Sequence, residues 1–274
     1  MKTPDLAALR LRYPAQFRRL TGGRALAVLG LVAALLLLGL AVWRLQLLPA
    51  RFLAGLGQLW HFLTLMLPPD PGPHLPLILR GIGETLAIAC LGTLIAALLA
   101  LPLALLAARN TTVNGLMRFL SRRVLDTVRG VDALIWALIW VGVVGLGPFA
   151  GVLAIATSDI GTFGKLFSEA LEAAERGPQE GIVAAGGGGL ARIRFGVLPQ
   201  VMPVMAGQVL YLFESNVRSS AIIGIVGAGG IGLHLAEMIR TLEWPAASFI
   251  VLLILVVVAM IDVISARLRA AMAR

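Results

Sequence analysis

Four long stretches without a charged residue constrain how this chain can fold. Each is eighteen to twenty-four residues long, and about twenty residues of apolar helix cross roughly 30 Å of hydrocarbon. The chain is 59% hydrophobic and 14% charged, which exceeds the apolar content of soluble domains. The sequence therefore predicts an all-α integral membrane protein. The stretches lie between Arg24 and Arg44, Glu84 and Arg109, Arg194 and Glu214, and Glu243 and Asp262.

A fifth uncharged block, residues 133–158, is interrupted by the sequence Gly145-Leu-Gly-Pro148. Proline cannot continue a helix without loss of a hydrogen bond, and the glycines before it favour a turn. We therefore predict a tight hairpin, with one helix from about Arg129 to Val144 and another from about Phe149 to Phe167. The six predicted transmembrane helices cover about residues 25–43, 81–107, 129–145, 149–167, 200–223 and 246–264.

The basic residues are distributed unevenly between the two sides of the predicted membrane. Six basic residues lie within residues 1–24 and five within residues 108–129. The connection between the fourth and fifth spans has four, the last nine residues have three, and the opposite side has four. Because Lys and Arg accumulate in cytoplasmic loops, both termini and residues 168–199 are predicted to be cytoplasmic. This bias accounts for most of the net charge of +9, so no nucleic-acid partner is needed to explain it.

Residues 45–67 are apolar enough to suggest a seventh span but include Arg51, Gln58 and His61. A seventh crossing would remove the charge asymmetry, so we predict an interfacial helix on the outer face, followed by a proline-rich loop. The single cysteine, Cys90, lies within a span and excludes disulfides and thiolate metal sites. The predicted organisation is a basic N-terminal segment (1–24), a first span (25–43), an outer segment (44–80), a core (81–265) and a cytoplasmic tail (266–274).

A glycine-rich, basic segment at residues 180–199, EGIVAAGGGGLARIRFGVLP, separates two apolar runs. Its four consecutive glycines permit positive φ and predict a short helix on either side of a sharp turn, a compact knob for a partner to bind. Leu190, Ile193 and Val197 are spaced to form an apolar edge, and the neighbouring arginines can pair with acidic residues of the partner. The alternative is a solvated loop with a charged face. The residues assigned to docking are Glu180, Gly186, Gly187, Leu190, Arg192, Arg194, Leu198 and Pro199.

The register of Glu180, Gly186 and Leu198-Pro199 resembles the cytoplasmic EAA loop of binding-protein-dependent ABC importer permeases. Gly181 and Ile182 stand where that pattern has two alanines, and Gly196 replaces its isoleucine. Further segments resemble the phosphonate-importer branch of the family: GLGPFAG (145–151), GKLFSEA (164–170), RFGVLPQ (194–200), ESNVR (214–218) and IGIVGAGGIG (223–232). At the start of the third predicted span, Val131-Asp132 stands where that branch tends to have Pro-Glu. The resemblance covers about residues 80–265.

The resemblance implies a type I ABC importer permease fold in the bacterial cytoplasmic (inner) membrane. The expected partners are a second copy of the chain, two cytoplasmic ATPase subunits, a periplasmic substrate-binding protein and the lipid bilayer. ATP and Mg would be bound by the ATPase, and this chain, which has no GxxxxGK[ST] motif, would hold no cofactor or metal and would not be an enzyme. The implied cargo is a phosphonate; phosphite, hypophosphite and phosphate, or an amino acid such as methionine, are the alternatives.

The sequence Gly227-Ala-Gly-Gly-Ile-Gly232 matches the dinucleotide fingerprint GxGxxG. That motif requires a preceding strand, whereas a membrane helix precedes it here. We expect close backbone packing near the outer mouth of the pore instead, with a plain loop as the alternative. The glycines concerned are Gly227, Gly229, Gly230 and Gly232.

Ionisable residues within the spans are candidates for a translocation path, because such groups face protein or water rather than lipid. Arg218 lies one helical turn after Glu214, so an ion pair between them is the structural alternative. Asp159 could balance Arg218, cap an irregular helix or contact a second permease. The path candidates are Arg218, Asn216, Ser219, Ser220, Glu214 and Asp159.

An ion-coupled secondary carrier is the alternative from another functional class. Such carriers have inverted repeats and ionisable residues near the midplane. The two halves of this sequence show no self-similarity, and Asp159 is the only isolated acid near a predicted midplane. A membrane-embedded enzyme would require a nucleophile or metal constellation, and the sequence contains no recognisable one.

Overall fold

The computed structural model describes residues 22–45, 49–112 and 114–272, and the regular elements among them are helices. The basic segment predicted at residues 1–24 falls largely outside the described residues. The chain divides into two compact units, Met1–Thr64 and Leu65–Arg274. The first contains α1 (Gly22–Arg44) and most of α2 (Pro49–Leu65). The apolar side chains of α1 from Leu26 onward are exposed, as a lipid-facing span requires.

The second unit is a bundle of helices with two short connecting elements. A one-turn 3₁₀ helix, Gly72–His74, precedes its first long helix. Its helices are α3 (Leu75–Ala107), α4 (Gly115–Arg129), α5 (Ala133–Val144), α6 (Pro148–Ala173), α7 (Arg176–Ala184), the short α8 (Gly189–Ala191), α9 (Leu198–Gly224), α10 (Ile231–Arg240) and α11 (Trp244–Met272); a π-helical turn, Arg192–Val197, joins α8 to α9.

Four helical stretches of the described chain are long and apolar enough to cross a membrane: residues 26–44, 72–107, 189–224 and 244–272. The pair α4 and α5, bent by 85°, gives a fifth candidate if the two helices form one broken span. Helix α6 has 26 residues, about 39 Å of helix, but carries Asp159, Lys165, Glu169 and Glu172. Thirteen of its residues are buried, Asp159 among them, whereas Glu169 is exposed.

The predicted third span, residues 129–145, is wrong at its start. Arg129 ends α4, in a region that was expected to be a loop, and α5 begins only at Ala133. The carboxylate of Asp132 accepts a hydrogen bond from Leu134 N at 2.8 Å, and this capping of the next helix explains the break. The hairpin that follows is confirmed: α5 ends at Val144, and α6 begins at Pro148.

Three other helices extend beyond the predicted spans. Helix α3 begins at Leu75 rather than 81, α6 ends at Ala173 rather than 167, and α11 continues to Met272 rather than 264. Hydropathy marks where apolar residues stop, whereas a helix continues through polar residues until a cap or a proline ends it.

Small residues bring α3 and α6 close together at the centre of the bundle. A Cβ atom on Gly92 of α3 would lie 2.8 Å from the side chain of Ile155 on α6. Further along α3, Ala96, Ala100 and Ala104 pack in one buried cluster with Phe163 and Phe167 of α6 and with Val197. Such small-residue contacts allow close helix packing where the hydrophobic effect between lipid-embedded helices is weak.

Candidate functional site

The glycine-rich segment, residues 180–199, is a helix, a sharp turn and a second helical stretch, as predicted. Gly186 has φ of +83° and donates from its N–H to Val183 O at 2.9 Å, while Gly187 N donates to Ile182 O at 2.9 Å. These two bonds around a residue with positive φ are a Schellman motif, which ends α7. A Cβ atom on Gly187 would lie 2.6 Å from the side chain of Ile182, so both glycines are required by the turn.

The predicted apolar edge of this segment is wrong. Leu190 is 86% exposed, but Val197 is fully buried and belongs to the core cluster of α3 and α6, and Ile193 is half-buried. The π-helical turn between α8 and α9 widens the helical repeat, so residues spaced for an α-helix no longer share a face. The large apolar side chains that this segment exposes are Val183, Leu190 and Phe195.

The two arginines predicted to bind a partner have different surroundings. Arg194 is exposed, and its guanidinium lies 5.3 Å from the centre of the Phe195 ring. Arg192 is half-buried, and its Nη2 donates a hydrogen bond to Asn110 O at 2.8 Å. Glu180 is exposed and borders, with Arg192, a solvent-open cleft of about 740 Å³. Arg194 and Glu180 are therefore on the surface, whereas Arg192 binds its own chain.

Three of the predicted path residues lie inside the bundle. Asn216 Nδ2 donates to Thr93 Oγ1 at 2.8 Å and to a carboxylate oxygen of Asp159, and Asp159 is 8% exposed. This contact joins α3, α6 and α9, and it differs from each of the three roles considered for Asp159. Ser220 is fully buried and donates to Asn216 O at 2.7 Å. Asn216, Ser220 and Asp159 are thus on no open face of this subunit.

Arg218 lies in an ion-pair network between α9 and α11. Its Nη1 is 3.8 Å from Glu214 and 3.6 Å from Asp262 Oδ1. Both distances are long for hydrogen bonds, and the Arg218 side chain is 47% exposed. Glu214 instead accepts two bonds of 3.2 Å from Arg269. The predicted Glu214–Arg218 ion pair is therefore present, but Glu214 is bound more closely by Arg269.

Sequence analysis did not assign Asp262 and Arg269 to this site. They are seven residues apart on α11, which is two helical turns, so they lie on the same face of that helix. Polar residues two turns apart at the end of an apolar run are a signal that could have indicated a shared partner.

One face of α9 carries polar residues and is open to the outside of the subunit at Tyr211 and Arg218, whereas Gln208 and Ser215 are half-buried. Gln208, Tyr211, Ser215 and Arg218 follow one another at intervals of three or four residues, which places them in one stripe. Tyr211 is 57% exposed, and Ser219, at the edge of the stripe, is half-buried. Helix α9 is long and apolar enough to cross a membrane, so a polar stripe on it needs protein or water beside it rather than lipid.

The glycine turn, residues 227–232, is buried between α3, α6 and α9. Cβ atoms on Gly229, Gly230 and Gly232 would lie 2.6 Å from Pro148 N, 2.6 Å from Thr85 Oγ1 and 1.9 Å from Ala221 O. The first two also have positive φ, as does Gly227, whose carbonyl accepts from Gly147 N at 2.9 Å. The close backbone packing expected here is present, and the element before the turn is a helix, not the strand of a dinucleotide site.

The geometry defines a class of protein: an all-helical chain with several apolar spans, a polar face on one of them and an exposed helix–turn–helix segment. Residues 100–274 match the family described as binding-protein-dependent transport system inner membrane component. The chain therefore belongs to that family and is a multi-pass permease subunit of a bacterial ABC importer in the inner membrane. The family recognised from the EAA-like register is confirmed.

Two relatives support this assignment, and one solved structure has a similar fold. The permease protein HtxC of Stutzerimonas stutzeri is 43% identical over 238 residues, covering 87% of this chain and 84% of that protein. The phosphite transport system permease protein PtxC of the same species is 38% identical over 231 residues, covering 84% of each chain. The MetNI methionine ABC transporter, in an inward-facing conformation, has a TM-score of 0.66 at 21% identity, covering 75% of this chain and all of that chain. The last comparison shows a shared fold.

Proposed function

We propose that this chain is the permease subunit of an ATP-driven importer for phosphite, phosphonate or a closely related phosphorus oxyanion. The observation that carries the proposal is the near full-length similarity to a phosphite transport permease. The half-exposed Arg218 on the polar stripe of α9 supports it. A planar guanidinium offers several N–H donors that match the oxygens of such anions.

The proposed path follows the polar stripe, with Arg218 as its anion-binding group. Arg218 has two acidic neighbours, at 3.6 and 3.8 Å, so the local charge is partly neutralised. A passing anion would therefore be held weakly, which suits a conduit because tight binding would slow release. Selection of the anion would fall mainly to the binding protein. Of the other path candidates, Ser219 borders the stripe and Glu214 neighbours Arg218.

The proposed assembly contains two permeases, two ATPases and one binding protein. A second copy of this chain would cover the polar stripe, with six spans in each copy and both termini in the cytoplasm. The glycine-rich segment would dock on an ATPase, which would bind ATP and Mg. Glu180, Leu190 and Arg194 are on the exposed surface that such docking requires. The outer-mouth position of the glycine turn is part of the same proposal.

Uptake into proteoliposomes tests the cargo and the energy source together. We expect vesicles with permease, ATPase and binding protein to accumulate labelled phosphite or methylphosphonate, with methionine excluded. Accumulation should require ATP on the ATPase side and persist when a protonophore collapses ion gradients. Accumulation of methionine alone would contradict the cargo, and uptake abolished by the protonophore while ATP hydrolysis continues would favour the ion-coupled carrier.

The docking role of the glycine-rich segment predicts uncoupling by Gly186→Ala and Glu180→Gln. At φ of +83° an alanine costs about 1 kcal/mol relative to glycine, enough to shift the turn and lower ATPase affinity by roughly fivefold. Glu180→Gln removes an exposed charge without altering the turn. The measurement is ATPase co-purification together with uptake per ATP hydrolysed.

The control for that experiment is Gly177→Ala, which lies before the segment in α7. A Cβ atom there meets nothing within 4 Å and requires no positive φ, so coupling should be unaffected. Wild-type affinity and coupling in both test variants would show that the segment does not dock on the ATPase.

A further inference from the structure

The contacts of Arg192 lead from the glycine-rich segment to the C-terminal ends of α3 and α6. We infer that Arg192 is a positioning residue that fastens the segment to these ends and transmits its movement to the core of the permease. The inference rests on the proposed docking of the segment on an ATPase. In this role Arg192 binds its own chain, whereas the sequence predicted that it binds the partner directly.

The first link is the hydrogen bond from Arg192 Nη2 to Asn110 O, at 2.8 Å. It joins positions 82 residues apart in the chain. Asn110 lies in the connection after α3, and its side-chain Nδ2 donates to Leu171 O near the end of α6. Asn110 therefore binds Arg192 of the segment through its backbone carbonyl and binds α6 through its side chain.

The second link is Glu172, the residue after Leu171. Its Oε1 accepts from Arg109 N at 2.8 Å and from Arg122 Nη2 at 2.7 Å. Arg122 also donates from Nε to Ala107 O, the last residue of α3, at 3.1 Å. The ends of α3 and α6 and the middle of α4 are thereby tied together at the place where Arg192 is attached.

The other side-chain hydrogen bonds beside the segment are local to its base, and Val197 packs in the core cluster. Gln200 accepts from Glu175 N at 2.9 Å, and Gln179 donates to Glu175 O at 2.9 Å, which holds the start of α7 against the start of α9. The tip of the segment is exposed. Arg192 therefore extends from the second helical stretch of the segment to the helices that form the core cluster.

Two polar atoms at the Arg192–Asn110 contact lack a hydrogen-bond partner in the described part of the chain, which suits a contact that changes during transport. Arg192 Nε and Asn110 Oδ1 are both buried and have no hydrogen-bond partner among the described residues. Both residues line the cleft of about 740 Å³. Because buried polar atoms without partners are unfavourable, a rearrangement that pairs them would be favoured. The open cleft beside them leaves room for that movement.

The test compares Arg192→Gln, Arg192→Lys and Arg267→Gln in the complete importer. Arg267 is an exposed arginine on α11, so its replacement is a control for loss of one positive charge. We expect Arg192→Gln to lower uptake per ATP hydrolysed by about tenfold, in the range of allosteric coupling, without weakening ATPase association. Arg192→Lys should restore much of the ratio, since an ammonium group can still donate to Asn110 O. Arg267→Gln should behave as wild type.

Hydrogen–deuterium exchange provides a readout that does not depend on the cargo. Adding ATP to the wild-type importer should change amide exchange both in the glycine-rich segment and in residues 107–112. In Arg192→Gln the change in residues 107–112 should be lost and that in the segment retained, and Arg192→Lys should regain both. No substrate is added in this measurement, so its result does not depend on the cargo. Failure of wild-type vesicles to transport phosphorus oxyanions would therefore contradict the proposed cargo but not the role of Arg192.

Three outcomes would contradict the role of Arg192 as a positioning residue. The first is wild-type uptake per ATP in Arg192→Gln, with its exchange response intact. The second is loss of ATPase association in both Arg192 variants, which would make Arg192 a docking residue. The third is a wild-type importer in which ATP leaves residues 107–112 unchanged. If the Arg192→Gln permease does not fold, Arg192→Met, which keeps an unbranched side chain and removes its hydrogen-bond donors, takes its place in the same comparison.

Discussion

Replacement of Arg218 by Gln is expected to lower uptake by about thirtyfold while ATPase association stays at the wild-type level. Charge-assisted hydrogen bonds to an anion are worth about 2 kcal/mol, and each 1.36 kcal/mol corresponds to a factor of ten. The measurement is initial uptake rate in proteoliposomes, with ATPase co-purification beside it. Arg80→Gln is the matched control, because Arg80 also pairs with a glutamate four residues away, Glu84 at 3.3 Å, but lies outside the stripe.

The ion-pair network offers a competing explanation for any loss in Arg218→Gln. Without Arg218, Glu214 keeps its two bonds to Arg269. Asp262, whose buried Oδ1 has no hydrogen-bond partner among the described residues, loses a compensating charge. The double variant Arg218→Gln with Asp262→Asn removes that uncompensated charge.

The double variant separates the two roles of Arg218. If Arg218 only neutralises Asp262, the double variant should recover wild-type uptake. If Arg218 binds the passing anion, uptake should remain low, and Arg218→Lys should recover part of it because the charge returns without the planar fork. Full recovery in the double variant, or unchanged uptake in Arg218→Gln, would contradict the path assignment.

Gly232→Ala is expected to destabilise the permease by about 3 kcal/mol, at the upper end of overpacking effects. The new methyl carbon would lie 1.9 Å from Ala221 O, 2.9 Å from Ala221 C and 3.0 Å from Gly224 Cα. All three are backbone atoms, so no rotamer change relieves the clash and α9 and α10 must move apart. The measurement is thermal unfolding of purified permease in detergent, read from the folded fraction by size-exclusion chromatography.

Gly83→Ala is the matched control for the glycine turn. Gly83 is an exposed glycine of α3 whose added Cβ would meet nothing within 4 Å, and alanine favours the helix over glycine by about 1 kcal/mol. Its unfolding temperature should equal or exceed that of wild type. Equal unfolding temperatures for Gly232→Ala and Gly83→Ala would mean that the turn adjusts freely and that the α9–α10 contact does not hold the bundle.

The glycine-rich segment shows where local sequence is sufficient and where it fails. The turn at Gly186 and Gly187 depends on a few adjacent residues. It requires a positive φ at Gly186 and the absence of a Cβ atom at Gly187, and glycine satisfies both requirements. The apolar edge assumed an α-helical repeat through residue 197. The π-helical turn of residues 192–197 is stabilised by packing of Val197 against α3 and α6, so its register could not be read from spacing alone.

The path candidates show the same limit at longer range. Asn216 and Arg218 are two residues apart, which on a helix places them on nearly opposite faces. Sequence indicates that both are unusual in an apolar run but not which one the neighbouring helices enclose. Asn216 is buried against Thr93 and Asp159, whereas Arg218 faces outward with Asp262. Those partners lie on three other helices, so no local pattern reveals them.

Local sequence was sufficient to predict the all-helical membrane class, the hairpin before Pro148, the turn at Gly186 and the transport family. Each depends on hydropathy, on backbone preferences of Gly and Pro, or on a motif in register, and these are properties of neighbouring residues. The fold was needed to establish the inward orientation of Arg192, the buried position of Val197 and the division between Asn216 and Arg218. Those outcomes depend on which helices pack together, because burial and partnership are properties of the assembled bundle.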